Sequence, residues 1–136
     1  MPSFIKDYDA LESPSNWQSR FDVRNWVRLE GEGGAAIVAW NTPGVDMLER
    51  RDDLAVLWDI RVRPEERGIG RGRLLVEAAE KWAREMNCAE IKVETQDNNV
   101  AACRFYAAMG FEAKEIVRNA YEGLDEAMII WRKRLA

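Results

Sequence analysis

A run rich in β-branched and aromatic residues, Leu54 to Val62, stops at Pro64. It gives way to Arg67-Gly68-Ile69-Gly70-Arg71-Gly72, and that loop opens directly into a helical pattern. Val, Ile and Trp favour extended chain, and the proline closes the strand. From Gly72 to about Met86, Leu75, Ala78, Ala79, Trp82 and Met86 recur at spacings of three and four and make one apolar stripe. Glu77, Glu80, Lys81 and Arg84 fall on the wet face. From Ala89 to Thr95, apolar Ile91 and Val93 alternate with polar Lys92 and Glu94, the period of a strand. A strand, a helix and a second strand in that order imply a crossover and a parallel pair, and so an α/β fold.

The flanking elements read as antiparallel. Trp26 to Glu30 and Ala35 to Trp40 are strands around the Gly31-Glu32-Gly33-Gly34 turn, and Pro43 to Asp53 is a polar loop. Asn98-Asn99 caps a second helix, Asn99 to Met109, which Gly110 stops. Phe111 to Ala120 and Ala127 to Leu135 are the last strands, around the Glu122-Gly123-Leu124-Asp125 turn. Ahead of Trp26, Trp17 and Phe21 stand four apart, as on one side of a short helix or in an arm packed by its aromatics. The expectation is a mixed sheet in a single domain over 1–136.

Composition narrows the chemistry. The 136 residues hold 24 acids against 20 bases, a net charge of −4, which disfavours nucleic acid and suits a cationic partner. No run is long and apolar enough to span a membrane, and Met1 to Ala10 does not read as a secretory signal, so a cytoplasmic protein is expected. Without histidine, Ser-His-Asp and Cys-His catalysis and the common zinc sites are excluded. Acid–base work then falls to Glu, Asp, Tyr, Lys, Cys or water, and no metal is expected. Cys88 and Cys103 are not a CxxC pair and read as reduced, small apolar fillers.

In the Arg67–Gly72 loop, glycines let backbone N–H groups approach a phosphate closely, and the following helix adds its partial positive charge. Arg67, Arg71 and Arg73 add cations. The stretch is a candidate pyrophosphate cradle; the alternative is a glycine-rich turn with solvated arginines. Leu75 stands where a dinucleotide fingerprint needs glycine or alanine, and no Gly-Lys-Ser/Thr follows as in a P-loop. Val62-Arg63-Pro64, followed by Arg67-Gly68-Ile69-Gly70-Arg71-Gly72, resembles the acetyl-CoA loop of the GNAT N-acetyltransferase superfamily, R/Q-x-x-G-x-G/A after Val-x-Pro. Asn99-Val100-Ala101-Ala102-Cys103-Arg104-Phe105-Tyr106-Ala107-Ala108-Met109-Gly110-Phe111 resembles its second signature, N-x-x-A-x-x-x-Y-x-x-x-G-F. The resemblance is close over Leu54 to Phe111, looser over the last strands and weak before Leu54.

That resemblance implies a mixed, mostly antiparallel sheet with helices on both faces and a central splayed parallel strand pair. It implies acetyl-CoA as co-substrate, its pantetheine arm lying against backbone at Ile60, Arg61 and Val62. The pyrophosphate would sit on Arg67, Gly68, Ile69, Gly70, Arg71, Gly72 and Arg73, and Asn99 would bond the arm. Tyr106 matches the tyrosine that acts as general acid at the coenzyme sulfur; by position alone it is a core aromatic on the helix face of Ala102. Glu94 resembles the general base of ribosomal-protein N-terminal acetyltransferases, or is a solvated strand acid. Asp59 is the other candidate, as base or as anchor for the acceptor's charge.

A narrower resemblance is to streptothricin acetyltransferases, which acetylate an amine on the β-lysine arm of a cationic antibiotic. It rests on Glu94-Thr95-Gln96-Asp97-Asn98-Asn99, on Ala102-Cys103 and Phe105-Tyr106, and on Asp59-Ile60 followed by Val62. Tyr121 resembles a tyrosine of their penultimate strand. Trp58 departs from the glutamate usual there, the last strand lacks their aromatic-rich ending, and their long N-terminal segment is missing. The expectation is acetyl transfer to a primary amine, on a small cationic molecule of the kind whose acetylation gives antibiotic resistance. Competing readings are a protein or peptide N-acetyltransferase and a non-catalytic acyl-CoA-binding module. The last strands could pair across a homodimer.

Overall fold

A computed structural model describes residues 22–118 and 127–135. Strands β1 (Val27–Gly31), β2 (Gly34–Trp40) and β3 (Leu54–Val62) are followed by helix α1 (Arg71–Glu85) and strand β4 (Glu90–Gln96). Helix α2 (Val100–Ala108), β5 (Glu112–Val117) and β6 (Met128–Arg134) complete the chain order. Each strand starts within one residue of its expected place. The six strands form one sheet in the order β1-β2-β3-β4-β6-β5. β3 and β4 pair parallel, and the other pairs are antiparallel. Trp17, Phe21, Tyr121 and the turn expected at Glu122 to Asp125 lie outside the described residues.

β4 and β5 both run antiparallel to β6, so they run parallel to each other. The links β3–α1–β4 and β4–α2–β5 therefore step across the sheet in one direction, and right-handed crossovers put both helices on the same face. One buried cluster accordingly joins Leu75, Val76, Ala79 and Ala83 of α1 and Tyr106 of α2 to Ala36, Val38, Ala55, Leu57, Ile91 and Val93 of the strands. Leu75 and Val76, at 4% and 0% exposure, are buried deeply enough to contribute roughly 1.5–3 kcal/mol each. The opposite face holds a smaller cluster of Ala39, Val45, Leu48 and Val56. It is covered from 42–53, which is more than the plain loop expected, since it contains a 3-10 turn at Asp46–Leu48. Among the described residues no α-helix lies on this second face; the candidate helix around Trp17 and Phe21 falls outside them.

The stripe of α1 is rotated from expectation. Val76 and Ala83 are buried while Ala78 is exposed, and Glu80, assigned to water, is 5% exposed. Its carboxylate meets Lys133 Nζ at 3.0 Å, and Lys133 also donates to the Met109 carbonyl at 2.8 Å. A charge pair thus ties α1 to β6 and the end of α2, where periodicity alone reads an acid as surface. On the second face Lys92, also 5% exposed, donates to the Met47 carbonyl at 2.9 Å and to Glu49 at 3.0 Å. Arg132 meets the same Glu49 carboxylate. Gly34 permits close contact of β2 with β3: a Cβ there would lie 2.3 Å from the Arg61 carbonyl oxygen.

Candidate active site

β3 and β4 pair only at Leu54, Ala55 and Val56, opposite Glu90, Ile91 and Lys92. Beyond these, β3 continues to Val62 and β4 to Gln96 with no pairing between them, so the sheet opens. On the other side of β3, Val38 faces Leu57 and Ile37 faces Asp59, which leaves Trp58 as an extra residue. Such a β-bulge bends the strand and increases its twist. Along the stretch to Val62, including Ile60, Arg61 and Val62, every second peptide group points into the opening. The splayed parallel pair expected from the resemblance is present.

The bulge also sorts side chains. Ile60 and Val62 pack with the helix-side cluster. Trp58 packs with the second-face cluster, and by alternation Asp59 and Arg61 point to that face too. Asp59 and Arg61 form an ion pair at 3.2 Å, with side chains 18% and 23% exposed. Glu94 is exposed on β4, on the face opposite Ile91 and Val93, and hence on the side of Asp59.

At the helix side, Gly70 is the N-cap of α1 with φ +90° and ψ 5°, and it supplies no side-chain cap. Leu74 is the first residue whose N–H reaches a helical carbonyl, that of Gly70 at 3.1 Å. The N–H groups of Arg71, Gly72 and Arg73 precede it and have no intrahelical acceptor. Gly68, with φ +81°, and Gly70 would place an added Cβ in open space. Ile69 is 61% exposed beside them. The three loop arginines are not equivalent. Arg67 donates to the Val62 carbonyl at 3.1 Å, which holds it over the end of β3. Arg71 is drawn back to Glu66 at 3.2 Å and Glu32 at 3.3 Å. Arg73 is 70% exposed in a long contact of 3.5 Å with Glu77. Helix start and loop arginines suit an anion, and Arg71 also fastens the loop to the β1–β2 turn.

Residues of α2 finish this side. Asn99 Oδ1 accepts from the Ala102 N–H at 3.1 Å, so the residue expected at the pantetheine arm is also the helix cap. Its amide nitrogen is the donor end. Tyr106 is 4% exposed, with ring contacts to Phe105 at 5.1 Å and Phe111 at 5.4 Å. Its hydroxyl has no hydrogen-bond partner among the described residues. Burial first, and the Asp59 charge second, push this phenol well above its ordinary pKa, so it stays protonated. A phenol that stays protonated can donate a hydrogen bond. A buried hydroxyl left unpaired is costly unless something completes it. The donor set of amides, an amide nitrogen and a phenol fits a phosphorylated, sulfur-bearing coenzyme.

The sequence picked out Tyr106, Asn99, Glu94, Asp59 and the glycine loop. It missed Glu32 and Glu66, which orient Arg71, and Trp26, whose ring lies 4.9 Å from Trp58. Nothing local marks Glu32, which reaches Arg71 only through the hairpin. Cys88 and Cys103 are both free. Burial raises the Cys88 thiol to about 11. No described helix is long and apolar enough to cross a membrane.

The acetyltransferase (GNAT) family model matches residues 3–111. Streptothricin acetyltransferase of Escherichia coli is 45% identical over 67 residues, 49% of this chain and 38% of that protein. Streptothricin acetyltransferase A of Bacillus subtilis is 31% identical over 110 residues, 76% of this chain and 64% of that protein. A solved structure from Bacillus anthracis, described as a candidate streptothricin acetyltransferase in complex with acetyl coenzyme A, is 35% identical with a TM-score of 0.64. It covers 74% of this chain and 54% of its own. The chain spans only 38% and 64% of the length of the two curated relatives.

Proposed function

Because the chain belongs to the acetyltransferase (GNAT) family, we propose that it transfers an acetyl group from acetyl-CoA to a primary amine on a small polycation of the streptothricin kind. The observation that carries the transfer is the buried Tyr106, whose hydroxyl meets no hydrogen-bond partner among the described residues, on the helix side of a sheet that opens at β3 and β4. Acetyl-CoA supplies the activated acyl group as a thioester. The N–H groups at the start of α1, with the loop arginines, hold its pyrophosphate, and the open edge at Ile60, Arg61 and Val62 holds its arm together with the Asn99 amide. A β3 N–H donates to the carbonyl oxygen as negative charge develops there.

Proton traffic divides between the faces. A lysine-like ammonium has a pKa near 10.4, so freeing the amine at pH 7 costs about 4–5 kcal/mol. Glu94 accepts that proton, directly or through water, and Asp59 anchors charge on the acceptor. The amine nitrogen bonds to the acetyl carbon, the carbon–sulfur bond breaks, and the second amine proton ends on sulfur. An ordinary thiol titrates near 8.5, below the raised Tyr106 phenol, so Tyr106 steadies the departing sulfur by donating a hydrogen bond more than by releasing its proton. The acids on the second face and the net charge of −4 support a cationic acceptor, whose acetylation would confer antibiotic resistance. The free cysteines fit a cytoplasmic setting.

Release of free thiol from acetyl-CoA across an amine panel tests the proposal. Rapid release with streptothricin and little with peptide N-termini is the expected result. Release with peptides alone would replace the acceptor, and acetyl-CoA binding without release to any amine would reduce the protein to a binding module.

A further inference from the structure

The cradle and Tyr106 lie on the helix side of the sheet, so an acceptor meets the opening from the second face. The bulge brings two consecutive side chains of β3, Trp58 and Asp59, to that face. Trp58 is half-buried, and its ring stands 4.9 Å from Trp26 at an interplanar angle of 51°. Trp26 is fixed in turn: its Nε1 donates to Thr42 Oγ1 at 2.9 Å, and that hydroxyl donates to the Trp40 carbonyl at 2.8 Å. Both rings pack on the Val45, Leu48 and Val56 cluster. The indole pair is thus braced from beneath.

An indole beside a carboxylate, next to an opening in a sheet, has the chemistry to receive an alkylammonium. Methylenes lie along the ring, and the cation meets the negative π face. Asp59 is already paired with Arg61 at 3.2 Å, so its carboxylate does not offer a full unit of charge. The ring supplies attraction that the ion pair does not cancel. On the acetyl-transfer reading, we propose that Trp58, braced by Trp26, determines acceptor specificity by selecting primary amines that carry a second ammonium on an alkyl chain. The reacting amine reaches into the opening while the distal ammonium rests against the Trp58 ring.

Cadaverine and hexylamine serve as probes, matched in length, with a methyl in hexylamine where cadaverine carries its distal ammonium. Initial rates with acetyl-CoA, and calorimetry of each amine on CoA-saturated protein, are compared for wild type, Trp58→Phe and Trp58→Leu. Trp58→Leu should raise the KM for cadaverine roughly 2- to 30-fold, the range of a cation–π contact, with kcat and acetyl-CoA affinity retained. Hexylamine, which shares the methylene contact but not the distal charge, should lose less, and Trp58→Phe, which keeps a ring, should fall between. An unchanged KM for cadaverine, or equal losses for both amines, overturns the role of Trp58 while acetyl transfer stands. Cadaverine binding that depends on Trp58 without thiol release supports that role and overturns the transfer reading.

Discussion

Two residues of the candidate site carry opposite kinds of cost. Tyr106 buries a hydroxyl that no described residue satisfies. Tyr106→Phe loses no hydrogen bond to a described residue, so its melting temperature should equal or exceed that of wild type. Acetyl-CoA affinity should persist while kcat falls roughly 10²- to 10³-fold, the scale for losing one hydrogen-bond donor to developing charge. Thermal unfolding, calorimetry and single-turnover rates check these together; an unchanged chemical step would return Tyr106 to a packing role. Gly70 carries its cost in the backbone, at φ +90°. Gly70→Ala meets no atom within 4 Å, so the loss of about 1–2 kcal/mol expected in denaturant unfolding is conformational. The added carbon would stand between the helix start and a pyrophosphate, and acetyl-CoA affinity should fall. Wild-type affinity in that variant would contradict the cradle.

Among the elements, α2 has only nine residues and depends on its cap. Asn99→Ala should cost about 0.5–2 kcal/mol, measured by urea unfolding. Asn99→Asp keeps the capping oxygen but replaces the donor amide with a charge. If Asn99 bonds the pantetheine arm, the Asp variant should match wild-type stability and still bind acetyl-CoA more weakly. Equal affinity would leave Asn99 a cap alone. Elements and their ends were legible where local chemistry decides them, as at Pro64 after β3, Asn99 before α2 and Gly110 after it. What was not legible depends on distant partners. Glu80 reads as surface until Lys133, fifty-three residues on, supplies its counter-charge inside. The ion pair of Arg71 with Glu32 is equally hidden, since only the hairpin brings the two together. The splayed pair was legible only through family resemblance, since alternation along β3 and β4 gives no sign of where pairing stops.

At the scale of the molecule, the second face is fastened by charge. Burial opposes ionisation of Glu49, but Lys92 and Arg132 outweigh it and hold the carboxyl below its ordinary value. A lowered folded-state value means that the stabilisation is present above the ordinary value of 4.5 and is lost as pH falls through the folded value. The gap in melting temperature between wild type and Glu49→Gln should therefore be widest near neutrality and close in acid below 4.5. A gap that stays constant with pH would assign the effect to packing. The unequal pairing of β3 and β4 has a mechanical consequence as well. β1, β2 and β3 form one half-sheet and β4, β6 and β5 the other, and the direct seam between them is Leu54, Ala55 and Val56 against Glu90, Ile91 and Lys92. A coenzyme lying along the free edge of β3 would lengthen that short seam as a removable rung. Saturating acetyl-CoA should slow amide hydrogen exchange from Leu57 to Val62 far more than in β1, so that occupancy of the site is read as stiffness between the halves.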